Sequence, residues 1–406
     1  QRDPSHTGSI PNGPVPPLKE AWVADAGDPN SNFTTWPVVF AGIAYASVGP
    51  GVLAVDASTG QRKWFSEPPE GQTIAAPAVN HNSVFVPVPG GILLALHRES
   101  GAELWRFSAE DDLDAAPTLA GDRLYFGSAV GKKFYCVDAT TGRLVWAFPT
   151  EFEPDSVPAV ADGVVVFTTE DVGSSKVNVY ALDANTGREL WRVPQQEANS
   201  SPSILDGKVI IGGGDLHVHA LDLKTGRQVW KVSVPAKFGV RNSPALAFGD
   251  VFMADRIGNF YRLDGATGRR KWIFEDAEGA FDQSYPVVAG KTMYIGGGAG
   301  YVYALNTDTG KLLWRRQIGG FVMSGAADSE RFYFGVKFRN EGLYAYEHDP
   351  NPTAATQKDE PGPPGQEEGD EVPRAIFAVL VTLSVLLLIV ILVVRAVAKR
   401  ITKKLR

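Results

Sequence analysis

The sequence predicts an all-β fold, a ring of eight four-stranded antiparallel blades, followed by one transmembrane α-helix. Three observations support this β-propeller. One motif ending in tryptophan recurs through most of the 406 residues, and a second series of prolines keeps the same spacing. A run of twenty uncharged residues lies near the carboxyl end. Periods of about 40–45 residues are typical of propeller blades, and twenty apolar residues span a bilayer core.

The repeated motif has the form A-x-D-x-x-T-G-x-x-x-W, as in residues 181–191. Its tryptophans follow one another at intervals of 39 to 45 residues, and they are Trp64, Trp105, Trp146, Trp191, Trp230, Trp272 and Trp314. The prolines mark the other half of each unit, and they are Pro37, Pro77, Pro117, Pro158, Pro202, Pro244 and Pro286. Two series with one period indicate a repeated structural unit rather than chance.

Each unit is predicted to form four short strands joined by tight turns. In the fourth unit the strands are expected at 158–161, 164–169, 176–182 and 188–193, where apolar residues alternate or run together. The D-x-x-T-G segment is a turn, since the Asp and Thr oxygens accept nearby backbone N–H groups and Gly supplies a positive φ. The tryptophan then falls on the outermost strand, where it can pack between neighbouring sheets.

The number of blades follows from the ends of the repeat. Trp22 precedes Trp64 by 42 residues, on the same period as the other tryptophans. After Trp314 the chain forms only three more strands, expected at 324–327, 331–337 and 342–346. We therefore expect the strand around Trp22 to complete the eighth blade within a propeller of residues 19–348. Such closure removes both free edges of the ring. Residues 1–18, which hold five prolines, are expected to form an extended arm.

The carboxyl-terminal part has a different composition. Residues 349–374 are acidic and rich in proline, so we expect an extended stalk that buries no core. Residues 375–394 carry no charge and predict the membrane helix, and residues 395–406 hold six basic residues and no acid. By the positive-inside rule the tail is cytoplasmic and the propeller lies outside the plasma membrane, in a periplasmic or extracellular position.

Composition excludes several kinds of site. Cys136 is the single cysteine, so an internal disulfide or a zinc site with two cysteine ligands from this chain is impossible. The formal net charge of −7 argues against general nucleic-acid binding. His217 and His219 fall on one face of a strand, but His219 occupies the place of tyrosines in other units. We interpret it as a packing residue and Cys136 as a buried hydrophobe.

The repeat resembles the PQQ-type propeller repeat, whose tryptophan-docking motif is that of quinoprotein dehydrogenases. The same repeat builds the eight-bladed lipoprotein of the bacterial outer-membrane assembly machine. The resemblance covers residues 20–348 and is specific for the fold rather than for a function. Quinoprotein dehydrogenases are much longer and often carry an adjacent cysteine pair, whereas the assembly lipoprotein has a lipid anchor in place of a transmembrane helix.

Candidate ligand or partner residues are expected at the mouth of the central channel. The residue three positions before each proline gives one comparable site per blade, and those with a charged or amide side chain are Asp114, Asp155, Asn199, Arg241 and Gln283. Acidic residues surround them in blades three and four, namely Asp111, Asp112, Glu151 and Glu153. Basic residues follow in blades six to eight, namely Lys237, Arg256, Lys337 and Arg339. Such a divided surface can orient a partner or a zwitterionic ligand.

Two functions remain open at this point. The first is a non-catalytic scaffold that binds other membrane or envelope proteins, with no metal, no cofactor and no catalytic residue. The alternative is a quinoprotein dehydrogenase or a small-ligand sensor that holds PQQ with Ca²⁺ at the channel mouth. Asp114, Asp155, Asn199 and Arg241 are the residue types such a site needs, namely carboxylates, an amide and a cation. A hydrolase or lyase is disfavoured, because no histidine is expected on the mouth face.

Overall fold

The structure is a computed structural model, and the residues it describes are 8–25, 35–71, 73, 75–109, 111–113, 115–171, 176–196, 200–235, 239–240, 242–255, 257–276, 285–338 and 340–352. These residues belong to one compact unit that ends at Asp359. They include no helix able to cross a membrane. The predicted membrane helix at 375–394, the basic tail and the stalk from residue 353 onward lie outside the described residues.

The described residues form thirty-three strands. The first ten are β1 (Ser9–Ile10), β2 (Leu18–Ala24), β3 (Val38–Phe40), β4 (Ile43–Val48), β5 (Gly51–Asp56), β6 (Arg62–Ser66), β7 (Ala78–Val79), β8 (Ser83–Val88), β9 (Ile92–His97) and β10 (Glu103–Ser108). The next twelve are β11 (Thr118–Ala120), β12 (Arg123–Ser128), β13 (Lys133–Asp138), β14 (Leu144–Pro149), β15 (Ala159–Ala161), β16 (Val164–Asp171), β17 (Lys176–Asp183), β18 (Glu189–Gln196), β19 (Ser203–Leu205), β20 (Lys208–Gly212), β21 (His217–Asp222) and β22 (Gln228–Ser233). The last eleven are β23 (Ala245–Ala247), β24 (Asp250–Ala254), β25 (Asn259–Asp264), β26 (Arg270–Glu275), β27 (Val287–Ala289), β28 (Thr292–Gly296), β29 (Tyr301–Asn306), β30 (Leu312–Gln317), β31 (Phe321–Ala327), β32 (Arg331–Lys337) and β33 (Gly342–His348).

These strands form eight sheets, antiparallel except where β1 joins blade 7, which confirms the predicted propeller. Blades 1 to 7 are consecutive four-stranded meanders, from β3–β6 in blade 1 to β27–β30 in blade 7. Each innermost strand contacts that of the next blade, and β31 contacts β3 to complete the ring. Apolar clusters fill the spaces between adjacent sheets, as in sheet-on-sheet packing.

The amino-terminal strand closes the ring in the way that the position of Trp22 predicts. Blade 8 has the strand order β2-β33-β32-β31, so β2 is its outermost strand. The pairing is antiparallel, with Leu18 opposite His348 and Ala24 opposite Leu343. Strand β2, near the beginning of the chain, therefore pairs with β33, near the end of the described residues. This pairing gives blade 8 its fourth strand.

The repeated tryptophans hold neighbouring blades together. From Trp22 to Trp272, each indole packs against the motif glycine of the following blade, and each Nε1–H donates to a backbone carbonyl there. Trp191, for example, donates to the Leu223 carbonyl at 2.8 Å and lies over Gly226. A Cβ at Gly226 would stand 2.7 Å from the ring, and its φ is +69°. Glycine is thus required there by both space and backbone conformation.

The D-x-x-T-G turns are stabilised as the motif predicts. In blade 4, Asp183 Oδ1 accepts the backbone N–H groups of Asn185 and Thr186 and the Thr186 hydroxyl, at 3.1, 2.9 and 2.8 Å. These hydrogen bonds favour the carboxylate and lower the pKa of Asp183. The equivalent bonds in blade 6 lower the pKa of Asp264 to about 2. We call the side of the ring that carries these turns the turn face, and the opposite side the mouth face.

The amino-terminal arm lies inside the ring before it reaches β2. Strand β1 pairs in parallel with β27, the innermost strand of blade 7, with Ser9 opposite Val288 and Ile10 opposite Ala289. The arm then crosses the turn face, where the Pro14 carbonyl accepts the Tyr294 hydroxyl. An extended arm was predicted from the prolines, but its addition to blade 7 as a fifth strand was not.

Candidate functional site

The central channel is lined by the residue that directly precedes each repeat proline. These residues are mostly small or apolar, and they are Trp36, Ala76, Ala116, Val157, Ser201, Ser243 and Tyr285. Hydrogen bonds join several of them across blades: the Ser201 hydroxyl accepts the Val157 N–H at 3.1 Å, and the Ser243 hydroxyl accepts the Ser201 N–H at 3.2 Å. These bonds join blades 4, 5 and 6 at the channel wall.

Two aromatic side chains narrow this channel. Trp36 of blade 1 meets Tyr285 of blade 7 edge to face, with ring centroids 5.1 Å apart and planes at 86°. Trp36 also packs against a cluster formed by Ala75, Ala76, Ala116 and Val157. The sequence analysis did not single out Trp36 or Tyr285. The sequence does contain a signal for Trp36, since it is the one tryptophan outside the series that repeats about every 42 residues.

Two small cavities lie beside the described channel residues. One cavity of about 40 Å³ lies beside Trp36 and Pro77, and another of about 50 Å³ is bordered by Ser9, Tyr285 and Pro286. Pockets for drug-sized ligands usually measure about 300–1,000 Å³, whereas one water molecule takes about 30 Å³. These cavities accommodate a water or two. Neither of these two cavities is large enough for a tricyclic quinone cofactor.

The predicted mouth residues are only partly described. Asp155 is exposed on the mouth face, next to the start of blade 4. The others, Asp114, Asn199, Arg241 and Gln283, lie outside the described residues. The structure therefore gives no arrangement of these five side chains around a common ligand.

An acidic and a basic side were expected at the mouth face, and the described residues belong mainly to the acidic side. Asp112 Oδ1 accepts the Gly90 N–H at 2.8 Å, and Glu151 pairs with Arg192 at 3.3 Å. These acids thus also hold loops and adjacent blades in place. On the basic side, Lys337 is described and half-buried, and burial lowers its pKa. Lys237, Arg256 and Arg339 lie outside the described residues.

A charged cluster surrounds His219 in blade 5. Asp215 lies 3.1 Å from His219 Nε2, 3.6 Å from His217 Nδ1 and 2.7 Å from Lys231 Nζ. His219 is 3% exposed, and burial lowers its pKa despite the nearby carboxylate. It pairs across the sheet with Lys231, as Tyr180 pairs with Arg192 in blade 4. Within the described part of the chain, no group of three or more metal-binding side chains has the arrangement of a metal site.

Cys136 lies in the core between blades 3 and 4. Its side chain is fully buried, and burial raises the pKa of its thiol to about 12. A thiol with this pKa is protonated at neutral pH, so Cys136 is a poor nucleophile. It packs with Tyr125 and Trp146 as a small apolar residue.

Comparison with known proteins identifies relatives of the repeat region. Residues 89–240 and 175–330, together more than half of the chain, match the sequence model of a family described as outer membrane protein assembly factor BamB. Tetrathionate hydrolase from Acidithiobacillus ferrooxidans is 29% identical over 135 residues, which cover 31% of this chain and 27% of that protein.

Two further relatives differ from each other in their named functions. BamB from Vibrio cholerae is 35% identical over 85 residues, covering 20% of this chain and 22% of that protein. The dehydrogenase subunit of the quinone alcohol dehydrogenase from Gluconacetobacter polyoxogenes is 30% identical over 178 residues, covering 37% and 24%. The chain thus matches only about a quarter of the length of these curated relatives.

Solved structures with the same fold include members of both groups. BamB from Moraxella catarrhalis superposes with a TM-score of 0.65 and 15% identity, covering 81% of this chain and 99% of that one. Quinohemoprotein alcohol dehydrogenase ADHIIG from Pseudomonas putida HK5 gives a TM-score of 0.69 and 14% identity, covering 92% and 83%. At these identities the likeness concerns the fold alone, which serves both a named assembly factor and named enzymes.

Proposed function

We propose that this chain, which belongs to the outer membrane protein assembly factor BamB family, is a non-catalytic scaffold that binds other proteins of the cell envelope. The observation that supports this proposal is the edge-to-face contact of Trp36 with Tyr285 in the described part of the channel. The two cavities beside Trp36, Tyr285 and Ser9 measure about 40 and 50 Å³, less than a substrate and a cofactor require. Partner proteins would then bind to the outer surfaces of the propeller, as partners bind to the extended surfaces of many repeat proteins.

We further propose that the propeller is held at the plasma membrane by a single span. Residues 375–394 carry no charge and match the thickness of a bilayer core. The basic residues 395–406 place the tail in the cytoplasm and the propeller on the periplasmic or extracellular side. The stalk would leave the ring at the turn face, because Asp349 donates its backbone N–H to the Pro17 carbonyl there.

The second candidate, a PQQ-dependent dehydrogenase, is favoured by one observation. One relative of this chain, named as a quinone alcohol dehydrogenase subunit, is 30% identical to it over 178 residues. The match covers 24% of that protein and lies within a repeat that builds the fold. Since neither cavity beside Trp36 and Tyr285 has room for the cofactor, we assign no catalytic step to this chain.

The scaffold proposal predicts a stable complex in the native envelope. The full chain has a mass of 43.7 kDa, and we expect it to migrate on native gels of mild detergent extracts well above a detergent-bound monomer. A chemical cross-linker should preserve that larger species after the detergent is exchanged for a harsher one. The same chain purified alone provides the size of the free protein. Equal migration of the extracted and the purified chain would contradict the proposal.

A further inference from the structure

On the turn face, blades 1 to 7 place the hairpin between their first two strands beside their D-x-x-T-G turn. One backbone hydrogen bond joins the two, and in blade 6 it runs from the Gly265 N–H to the Gly249 carbonyl at 3.0 Å. The residue before that carbonyl has a positive φ in six blades, and these residues are Ala41, Gly121, Asp162, Asp206, Phe248 and Gly290. Among the six, Phe248 alone has a bulky side chain.

Phe248 is exposed as well as conformationally unfavourable. Its φ is +56°, a region that costs free energy for a bulky residue, and its ring is 62% exposed. An exposed ring gains little from packing, so the contacts of the folded propeller do not offset that cost. Unfavourable backbone conformations of this kind cluster at functional sites, which makes the tip of this hairpin a candidate contact surface.

Unpaired cations surround this tip. Six basic side chains are exposed on the turn face of blades 5 to 7, and they are Lys224, Arg227, Arg269, Arg270, Lys291 and Lys311. None of them forms an ion pair with a carboxylate of the described residues, since other bases make the pairs of these blades. Asp206 and Asp308 are the exposed acids among the described residues of these turns, and Asp308 pairs with Arg262 at 3.3 Å. The surface is therefore basic, in a chain whose formal net charge is −7.

The chain also leaves the propeller on this face. Asp349 donates its N–H to the Pro17 carbonyl at 2.9 Å, and His348 Nδ1 lies 2.7 Å from the Val15 carbonyl oxygen. Val15 is 61% exposed, which adds a second apolar side chain to the turn face. The chain thus continues from this face toward the segment that we propose to cross the membrane.

We propose that the turn face of blades 5 to 7 binds the surface of an anionic lipid bilayer, with its six cations against lipid phosphates and Phe248 among the headgroups. Basic side chains beside exposed apolar ones are the combination found on proteins that bind at the membrane interface. Each cation near an anionic bilayer strengthens binding about fivefold. The inference rests on the proposed span at 375–394, which keeps the propeller close to a bilayer, and it leaves the mouth face free for partner proteins.

The opposite face provides a contrasting phenylalanine. Phe338 on the mouth face is 76% exposed and has a φ of +74°, so it matches Phe248 in exposure and conformation. Its neighbour is an acid, however, since Glu341 Oε1 accepts the Phe338 N–H at 2.9 Å. An anionic bilayer attracts the cations around Phe248 and repels this carboxylate. The charges therefore favour the turn face as the one that meets lipid.

The test places a nitrobenzoxadiazole label on F248C or, as the matched control, on F338C of the full-length chain. Cys136 does not compete for the label, because it is fully buried and its thiol pKa is raised to about 12. Each chain is reconstituted in nanodiscs of phosphatidylcholine, with or without phosphatidylglycerol and with a nitroxide-labelled lipid as quencher. We expect the label at 248 to be quenched at least fivefold more in anionic discs than in neutral ones. High salt should remove the difference, and the label at 338 should not respond.

Charge variants test the role of the cations. R227Q/R269Q, made in the F248C chain, should lower the membrane contact measured by quenching at least tenfold. The control is R143Q/R188Q, which removes two exposed arginines from the same motif position in blades 3 and 4 and should change it less than threefold. All four substitutions introduce the residue that blade 1 carries there, Gln61, so both variants are expected to fold.

Several outcomes would overturn the inference. They are an unquenched label at 248 in anionic discs, equal quenching in neutral discs, equal quenching at 338, or equal losses in the two charge variants. Binding of a labelled octaglutamate peptide, with the label at 248 unresponsive to lipid, would assign the surface to an acidic protein instead. The proposed span is tested separately, by retention of the chain in neutral vesicles after alkaline extraction. Failure of the span and failure of the lipid-binding face are thus distinguishable.

Discussion

Replacing Trp191 by alanine is expected to lower the free energy of unfolding by about 3–5 kcal/mol, the range for large aromatic residues removed from a core. Trp191 is 8% exposed, and its indole joins blade 4 to blade 5 through Gly226 and the Leu223 carbonyl. The substitution leaves a cavity between two sheets and a carbonyl without its donor. Urea denaturation followed by tryptophan fluorescence and circular dichroism measures the change.

The glycine on the other side of this contact provides a matched comparison. A methyl group at Gly226 would stand 2.7 Å from the Trp191 ring, whereas one at Gly163 would meet nothing within 4 Å. Both glycines have positive φ, +69° and +74°. Gly163→Ala should therefore show only the backbone cost, about 1 kcal/mol, and Gly226→Ala clearly more. Equal losses in the two variants would contradict the docking account.

Removing residues 1–24 is expected to abolish cooperative folding of the propeller at physiological temperature. The deletion takes away β2, with it the outer strand of blade 8, and the contacts of Leu18 and Trp22, which are 1% and 9% exposed. Burial of two such side chains is worth about 5 kcal/mol or more, which is comparable with the whole stability of a typical domain. Thermal unfolding followed by circular dichroism shows whether one transition persists.

Adding the lost segment as a separate peptide tests the cause of this effect. A synthetic peptide of residues 8–24 should restore folding in a concentration-dependent way, because it binds only the folded ring. The same peptide with Trp22→Ala should do so poorly, since it lacks the contact with Gly60 and the hydrogen bond to the Ala57 carbonyl. A truncated chain that unfolds at the native midpoint without peptide would contradict the proposed closure of the ring.

The fold was predictable because its signals are local and repeated. The turn from Asp183 to Gly187 and the tryptophan four residues later determine one blade, and the same pattern at six other places, with Trp22 on the same period, determines the ring. Strand ends were less predictable. The hairpin of β16 and β17 extends to Asp171, beyond the predicted end at residue 169, because pairing with Lys176 continues the ladder.

The candidate site was predicted less well, for two physical reasons. Strand β1 has only two residues, so no alternation of polar and apolar side chains marks it before it pairs with β27. The channel is lined by the residue directly before each proline, such as Trp36, and the sequence analysis chose the residue two positions earlier. Of the residues so chosen, Asp155 is described and exposed.

The most direct test of the central claim, that this propeller binds proteins rather than a redox cofactor, is a thermal-shift titration of the full-length chain with PQQ and Ca²⁺. A ligand raises the unfolding temperature only by binding the folded state more strongly than the unfolded state. We predict no saturable shift and no oxidation of alcohols by the same samples with a dye acceptor. A saturable rise in unfolding temperature together with alcohol oxidation would contradict the claim and would identify a quinoprotein dehydrogenase.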